Sequence, residues 1–143
     1  MRWVTRSGPH VDRMASAWLI RRFIDPQAEF CFTNDPDDLP AGATPFDMRG
    51  VELSHQGENC TFETLLKRYE LTGPALDDIA ELVHEADIGD DRYLAPAATG
   101  LDLVTRAISL VCDDEEAVRV GMIVFEGLYQ HTRQKLLRRP AGP

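Results

Sequence analysis

Two backbone breaks constrain the first third of this chain more than any other feature. Ser7-Gly8-Pro9 and Asp25-Pro26 bracket a segment whose apolar residues Val11, Ala15, Trp18, Leu19 and Phe23 recur at helical spacing. The residue before a proline avoids the α region, so Asp25 ends that helix. On either side the pattern changes. Trp3 and Val4 give residues 2–6 the character of a short strand, and Phe30, Cys31 and Phe32 make residues 28–33 read as a buried strand. Residues 34–42 are rich in Asp, Pro and Gly and form a loop. Residues 44–46 and 51–53 are further short strands around residues 48–50. Strand, helix, strand, strand suits an α/β layer.

The second half reads as helical. Asn59 or Thr61 can cap a helix carrying Phe62, Leu65, Leu66 and Tyr69. Thr72-Gly73-Pro74 opens another, with Leu76, Ile79, Ala80, Val83 and Ala86 on its apolar side. A third runs from about residue 101 to 111. The last begins in the acidic run 113–116, which suits the positive end of a helix dipole, and carries Ala117, Val120, Val124 and Leu128 at helical spacing. The expected fold class is therefore α/β, with a small sheet from the N-terminal half layered with helices and a helical C-terminal half. Trp18, Leu19, Phe30, Phe32, Phe62, Ile79, Val83, Val124 and Leu128 are the expected core. At 143 residues the chain fits one domain, expected over residues 1–138, with 139–143 as a tail.

Charge and cysteine content narrow the function classes. The 24 acidic and 15 basic residues leave a net charge of −9, which repels a phosphate backbone and argues against nucleic acid as a partner. Cys31, Cys60 and Cys112 form no CxxC pair, so neither a zinc ribbon nor a thioredoxin-type motif is available. No run approaches the ~18 apolar residues of a membrane span, and no signal peptide is evident, so no membrane association and a cytoplasmic location are expected.

The candidate chemistry lies in the histidines and their acidic neighbours. His10 and Asp12 form His-x-Asp where the first loop enters its helix, and Glu52 and His55 flank a short segment after the second sheet region. His84 and Asp87, three apart, share one face near a helix end. Asp47 follows a strand end, the usual place for ligands in α/β layers. Carboxylates neutralise a cation while imidazoles select transition metals, so His10, Asp12, Asp47, Glu52, His55, His84 and Asp87 are candidate ligands for a divalent metal ion such as Mn²⁺, Fe²⁺ or Zn²⁺. Arg13 and Arg49 offer planar donor forks for a small oxyanion or phosphoester. The competing reading gives each residue a capping, solvated or core role; Cys60, at a helix start, reads as a buried small residue. His131, beside the basic C-terminal cluster, reads as solvated.

The stretch from His10-Val11-Asp12-Arg13 through Trp18 to Asp25-Pro26 resembles the opening motif of the C-terminal domain of the chromate resistance protein ChrB. Phe46-Asp47, Gly50-Val51-Glu52, His55, Gly57 and Cys60-Thr61-Phe62 resemble that family's second motif, and His84-x-x-Asp87 a third. The resemblance covers residues 3 to about 130. It implies a role in bacterial chromate resistance, a stress response, by sensing or by detoxification. Longer members carry an additional N-terminal half, and any DNA-binding role of that half does not carry over. A more distant similarity joins His10-x-Asp12, Asp47, His55 and Asp87 to the motif order of DHH-type metallophosphoesterases. The third motif here reads Ser54-His55-Gln56, lacking one Asp and one His, so a single-metal site is the expectation. The functions in play are thus a metal-binding domain of the chromate resistance type, a metal-dependent phosphoesterase-like hydrolase, and a structural partner domain without a site.

Overall fold

The computed structural model describes residues 1–138. The tail expected over 139–143 lies outside the described residues. Three strands, β1 (Arg2–Arg6), β2 (Glu29–Thr33) and β3 (Thr44–Pro45), form a parallel sheet in the order β2-β1-β3. Five α-helices accompany them among the described residues: α1 (Val11–Leu19), α2 (Thr61–Arg68), α3 (Pro74–Asp87), α4 (Ala98–Val111) and α5 (Asp114–Arg138). This is the α/β arrangement expected, with the sheet drawn from the N-terminal half. No helix among the described residues is long and apolar enough to cross a membrane.

Central β1 buries Trp3, Val4 and Thr5 because both its neighbours and the helices cover it. β2 is less buried than the sequence suggests. It lies on the sheet edge, where Glu29 is exposed and Phe30, Cys31 and Phe32 are half-buried. Residues 51–53 form no strand. Asp47 and Gly50 have φ of 49° and 83°, and the segment bonds back on itself through Asp47 N–H to Leu53 O (2.7 Å) and Ser54 Oγ to Val51 O. These closures consume the backbone groups that a ladder would need.

α1 runs on without interruption into one π-helical turn, Ile20–Ile24, and Asp25 then turns extended as its proline demands. Trp18 ties three helices together: its ring stacks on Phe62 of α2, meets Phe125 and Tyr129 of α5, and donates its indole N–H to Glu126 (3.0 Å). Leu19, Phe62, Ile79 and Val83 are buried as expected, while Phe30, Phe32 and Leu128 pack against the core from its margin.

The α5 face is rotated from its expected phase. Ala117, Val118, Gly121 and Phe125 are buried; Val120 and Val124 are only half-buried. Apolar residues on adjacent faces of α5 make the two phases indistinguishable by spacing. Packing selects this one, because Gly121 lets α5 approach α1 so closely that a Cβ there would sit 2.8 Å from Met14 Cγ and Sδ. Gly121→Val should accordingly cost about 1–3 kcal/mol by overpacking, despite the better helix propensity of valine. A second substitution, Met14→Ala, should recover part of that loss in a denaturant titration. A Gly121→Val midpoint equal to wild type would show that α5 does not depend on this contact.

Candidate metal centre

Parallel strands place their C-terminal ends on one edge of the sheet, and the polar residues gather there. Asp12, in the first turn of α1, is 3% exposed. Its carboxylate serves a different helix: Oδ2 accepts the Thr61 N–H and Oδ1 the Phe62 N–H, both at 2.9 Å. These are first-turn donors of α2 with no intrahelical partner, and negative charge is favoured at that end. A buried carboxylate is tolerated here because it is hydrogen-bonded by backbone on its inner side.

On the outer side, His55 Nε2 stands 3.1 Å from Asp12 Oδ2 and 3.0 Å from Asp87 Oδ2 at the end of α3. Asp47 completes the group through Thr61, whose hydroxyl donates to its Oδ1 at 2.7 Å. Arg13 Nε pairs with Asp47 Oδ2 at 3.0 Å, an ion pair off the line of a hydrogen bond. Ligand atoms of Asp12, His55 and Asp87 all lie within 4.8 Å of one another. His55 is half exposed and gives the cluster its opening to solvent.

The electrostatics follow from crowding three carboxylates. Burial, then the neighbouring Asp12 charge, pushes the Asp47 carboxyl up to about 7, with Arg13 partly offsetting them. Burial and Asp12 likewise raise Asp87 to about 6. His55 moves up to about 9, chiefly through its hydrogen bond to Asp12 and against the effect of burial. At neutral pH, therefore, an imidazolium proton sits between Asp12 and Asp87.

Not every expected residue joins this centre. His10, at the start of α1, is half-buried, and its pKa is lowered by burial and then by Arg106 and Arg13. Glu52 is exposed and pairs with Arg68 at 3.6 Å. His84 is fully buried on the other side of the α2 N-terminus, between Glu63 and Asp90. Arg13 spends its guanidinium on the Ser7, Gly8 and Asp47 carbonyls as well as the Asp47 carboxylate, and Arg49 is exposed. The main participants that sequence reading missed are the amides of Thr61 and Phe62 and the Thr61 hydroxyl. Thr61 was visible only as a helix-start residue, and backbone donors carry no side-chain signature.

A known family model, the C-terminal domain of ChrB, matches residues 3–132. The chain belongs to that family. It is 35% identical over 130 residues to Protein ChrB of Cupriavidus metallidurans, a match covering 90% of this chain and 40% of that relative. The chain therefore spans under half the length of the curated relative it matches. No solved structure matches it significantly.

The shifts set a pH dependence for this ChrB-type domain. Carboxyl groups raised in the folded state lower stability as pH climbs from their ordinary 3.8 to about 6 for Asp87 and about 7 for Asp47. His55 stabilises the fold fully below its ordinary 6.5 and loses that contribution as pH rises towards about 9. Both effects have one sign. In the presence of chelator, the thermal midpoint should fall steadily from about pH 5 to about pH 9. Asp47→Asn should flatten the acidic part of that decline and His55→Gln the alkaline part. A midpoint that rises over this range would contradict the electrostatics described.

Proposed function

We propose that this domain binds one divalent transition metal through Asp12, His55 and Asp87, with Asp47 behind them, and serves the response to, or detoxification of, chromate or a similar oxyanion. The observation that carries the reading is charge balance. Three carboxylates, buried Asp12, half-buried Asp47 and Asp87 at the surface, face two cations, Arg13 and protonated His55. Exchanging the His55 proton for a divalent ion, with Asp47 and Asp87 both ionised beside it, makes the positive charge equal to the negative. His55 Nε2 already points between Asp12 and Asp87, so the donor atoms fit that exchange.

One imidazole with carboxylates suits Mn²⁺, Fe²⁺ or Zn²⁺. Such an ion would supply Lewis acidity and a charge on which a small oxyanion could settle. Arg13 is committed to holding Asp47, so its contribution to anion binding would be indirect, through the position of that carboxylate. Asp12 would orient the site while keeping its inner hydrogen bonds to α2. The link to chromate comes with the family resemblance.

Mn²⁺ titration of metal-stripped protein should show one site. His55→Ala and Asp87→Ala should each weaken it by about 10-fold or more, with little further loss in the double variant, because both report one shared ion. His131→Ala should leave affinity unchanged. Equal Mn²⁺ affinity in all the variants would overturn the shared centre. Turnover of a generic phosphodiester by the Mn²⁺-loaded protein would instead favour the hydrolase reading.

A further inference from the structure

A second group of donor side chains lies across the α2 N-terminus from Asp12. Cys60, Glu63 and His84 bring a thiol sulfur, a carboxylate oxygen and an imidazole nitrogen within 4.8 Å of one another. Cys60 and His84 are fully buried, and the Glu63 side chain is 12% exposed. The backbone fixes two of the three: Cys60 is the residue that starts α2, and Glu63 on the first turn accepts the Cys60 N–H at 3.1 Å. α3 delivers His84, whose Nδ1 faces Glu63. We infer that Cys60, Glu63 and His84 form a separate site for a borderline-soft divalent cation such as Zn²⁺.

Three observations support the assignment. The donor set is the thiolate, imidazole and carboxylate mixture that tetrahedral Zn²⁺ takes. His84 Nε2 is engaged with Asp90 Oδ1 at 2.9 Å, so one ring nitrogen is held by a carboxylate while the other faces the cluster. Metal-ligating histidines almost always have the other ring N–H held in this way, by a carboxylate, a backbone carbonyl or a water. Finally, a surface cleft of about 640 Å³ reaches Glu63 and Tyr93, and its wall includes Glu70, Asp77 and Glu81 against Lys67. Tyr93, which also lines that cleft, meets the His84 ring edge-on at 5.1 Å. An acid-lined cleft that touches Glu63 raises the local concentration of cations beside this group.

Binding would release two protons, one from the Cys60 thiol, whose pKa burial raises, as the metal–sulfur bond forms, and one held between His84 Nδ1 and Glu63 Oε1. The site differs from the Asp12 centre in hardness, since sulfur selects Zn²⁺ over Mn²⁺. Of the two centres, only this one can give a thiolate-to-metal band.

Co²⁺ titration of the metal-stripped full chain supplies the test. About one equivalent should produce a thiolate-to-cobalt charge-transfer band in the near ultraviolet. Cys60→Ser should abolish the band and His84→Asn should weaken Co²⁺ binding at least 10-fold, while Cys31→Ser, Cys112→Ser and His55→Ala should keep it. Circular dichroism identifies any variant that fails to fold, and the wild-type arm decides by itself: no band at saturating Co²⁺ overturns the assignment. So does a band that depends on Cys31 or Cys112, or one lost in His55→Ala. A persistent band with no Mn²⁺ binding would remove the Asp12 centre and leave this one standing.

Discussion

The Asp12 carboxylate is the constraint on which the rest of the structure hangs. It is buried, and it spends its inner lone pairs on the first amides of a helix some fifty residues later in the chain. Charge at the positive end of a helix is favourable, and an uncompensated buried charge is costly, so α1 and α2 hold one another in place. Everything polar nearby is arranged around that joint. Thr61 passes the constraint to Asp47, Asp47 to Arg13, and Arg13 to the carbonyls of the loop leaving β1. Glu63 passes it through His84 to Asp90, and so to the loop between α3 and α4. The same first turn of α2 thus separates an oxygen-rich group open to solvent from a sulfur-containing group in the interior.

Much of the layout was legible because it rests on local chemistry. Ser7-Gly8-Pro9 and Asp25-Pro26 delimit β1, α1 and β2 for steric reasons that need no tertiary context. Gly73-Pro74 opens α3 and the acidic run opens α5 on the same grounds. The errors occur where packing decides. The phase of α5 depends on Gly121 meeting Met14, a contact between residues over a hundred positions apart. Residues 51–53 have strand composition, yet left-handed backbone at Asp47 and Gly50 folds the segment onto itself. α4 begins at Ala98, three residues ahead of the start that the sequence suggests, since Ala98, Thr99 and Gly100 announce no helix.

The site was legible in its charges and not in its purpose. His-x-Asp at a helix start marks Asp12 as unusual, but an aspartate there ordinarily serves its own helix. Its donors are backbone amides, invisible in any pattern of side chains. His84 and Asp87 share a helix and were expected to act together. One turn of α3 is enough to aim them into different groups: Asp87 towards His55, His84 inward to Glu63. Spacing predicts a common face, whereas the depth of each residue beneath the surface decides its partners.

The π-helical turn at the end of α1 has a mechanical meaning. The front of that helix must keep Asp12 at the α2 amides, and its back must deliver the chain to β2 in register with β1. A uniform α-helix would link those two orientations rigidly through its pitch. Hydrogen bonds that skip one more residue act as a spacer ring in a shaft, absorbing the angular mismatch between the two ends. Arg21 and Arg22, adjacent in that ring, splay over different aromatic faces, Phe30 for one and Phe23 with Tyr129 for the other. The link between the sheet and the helical layer thus runs through a turn that lays one cation on β2 and the next on α5.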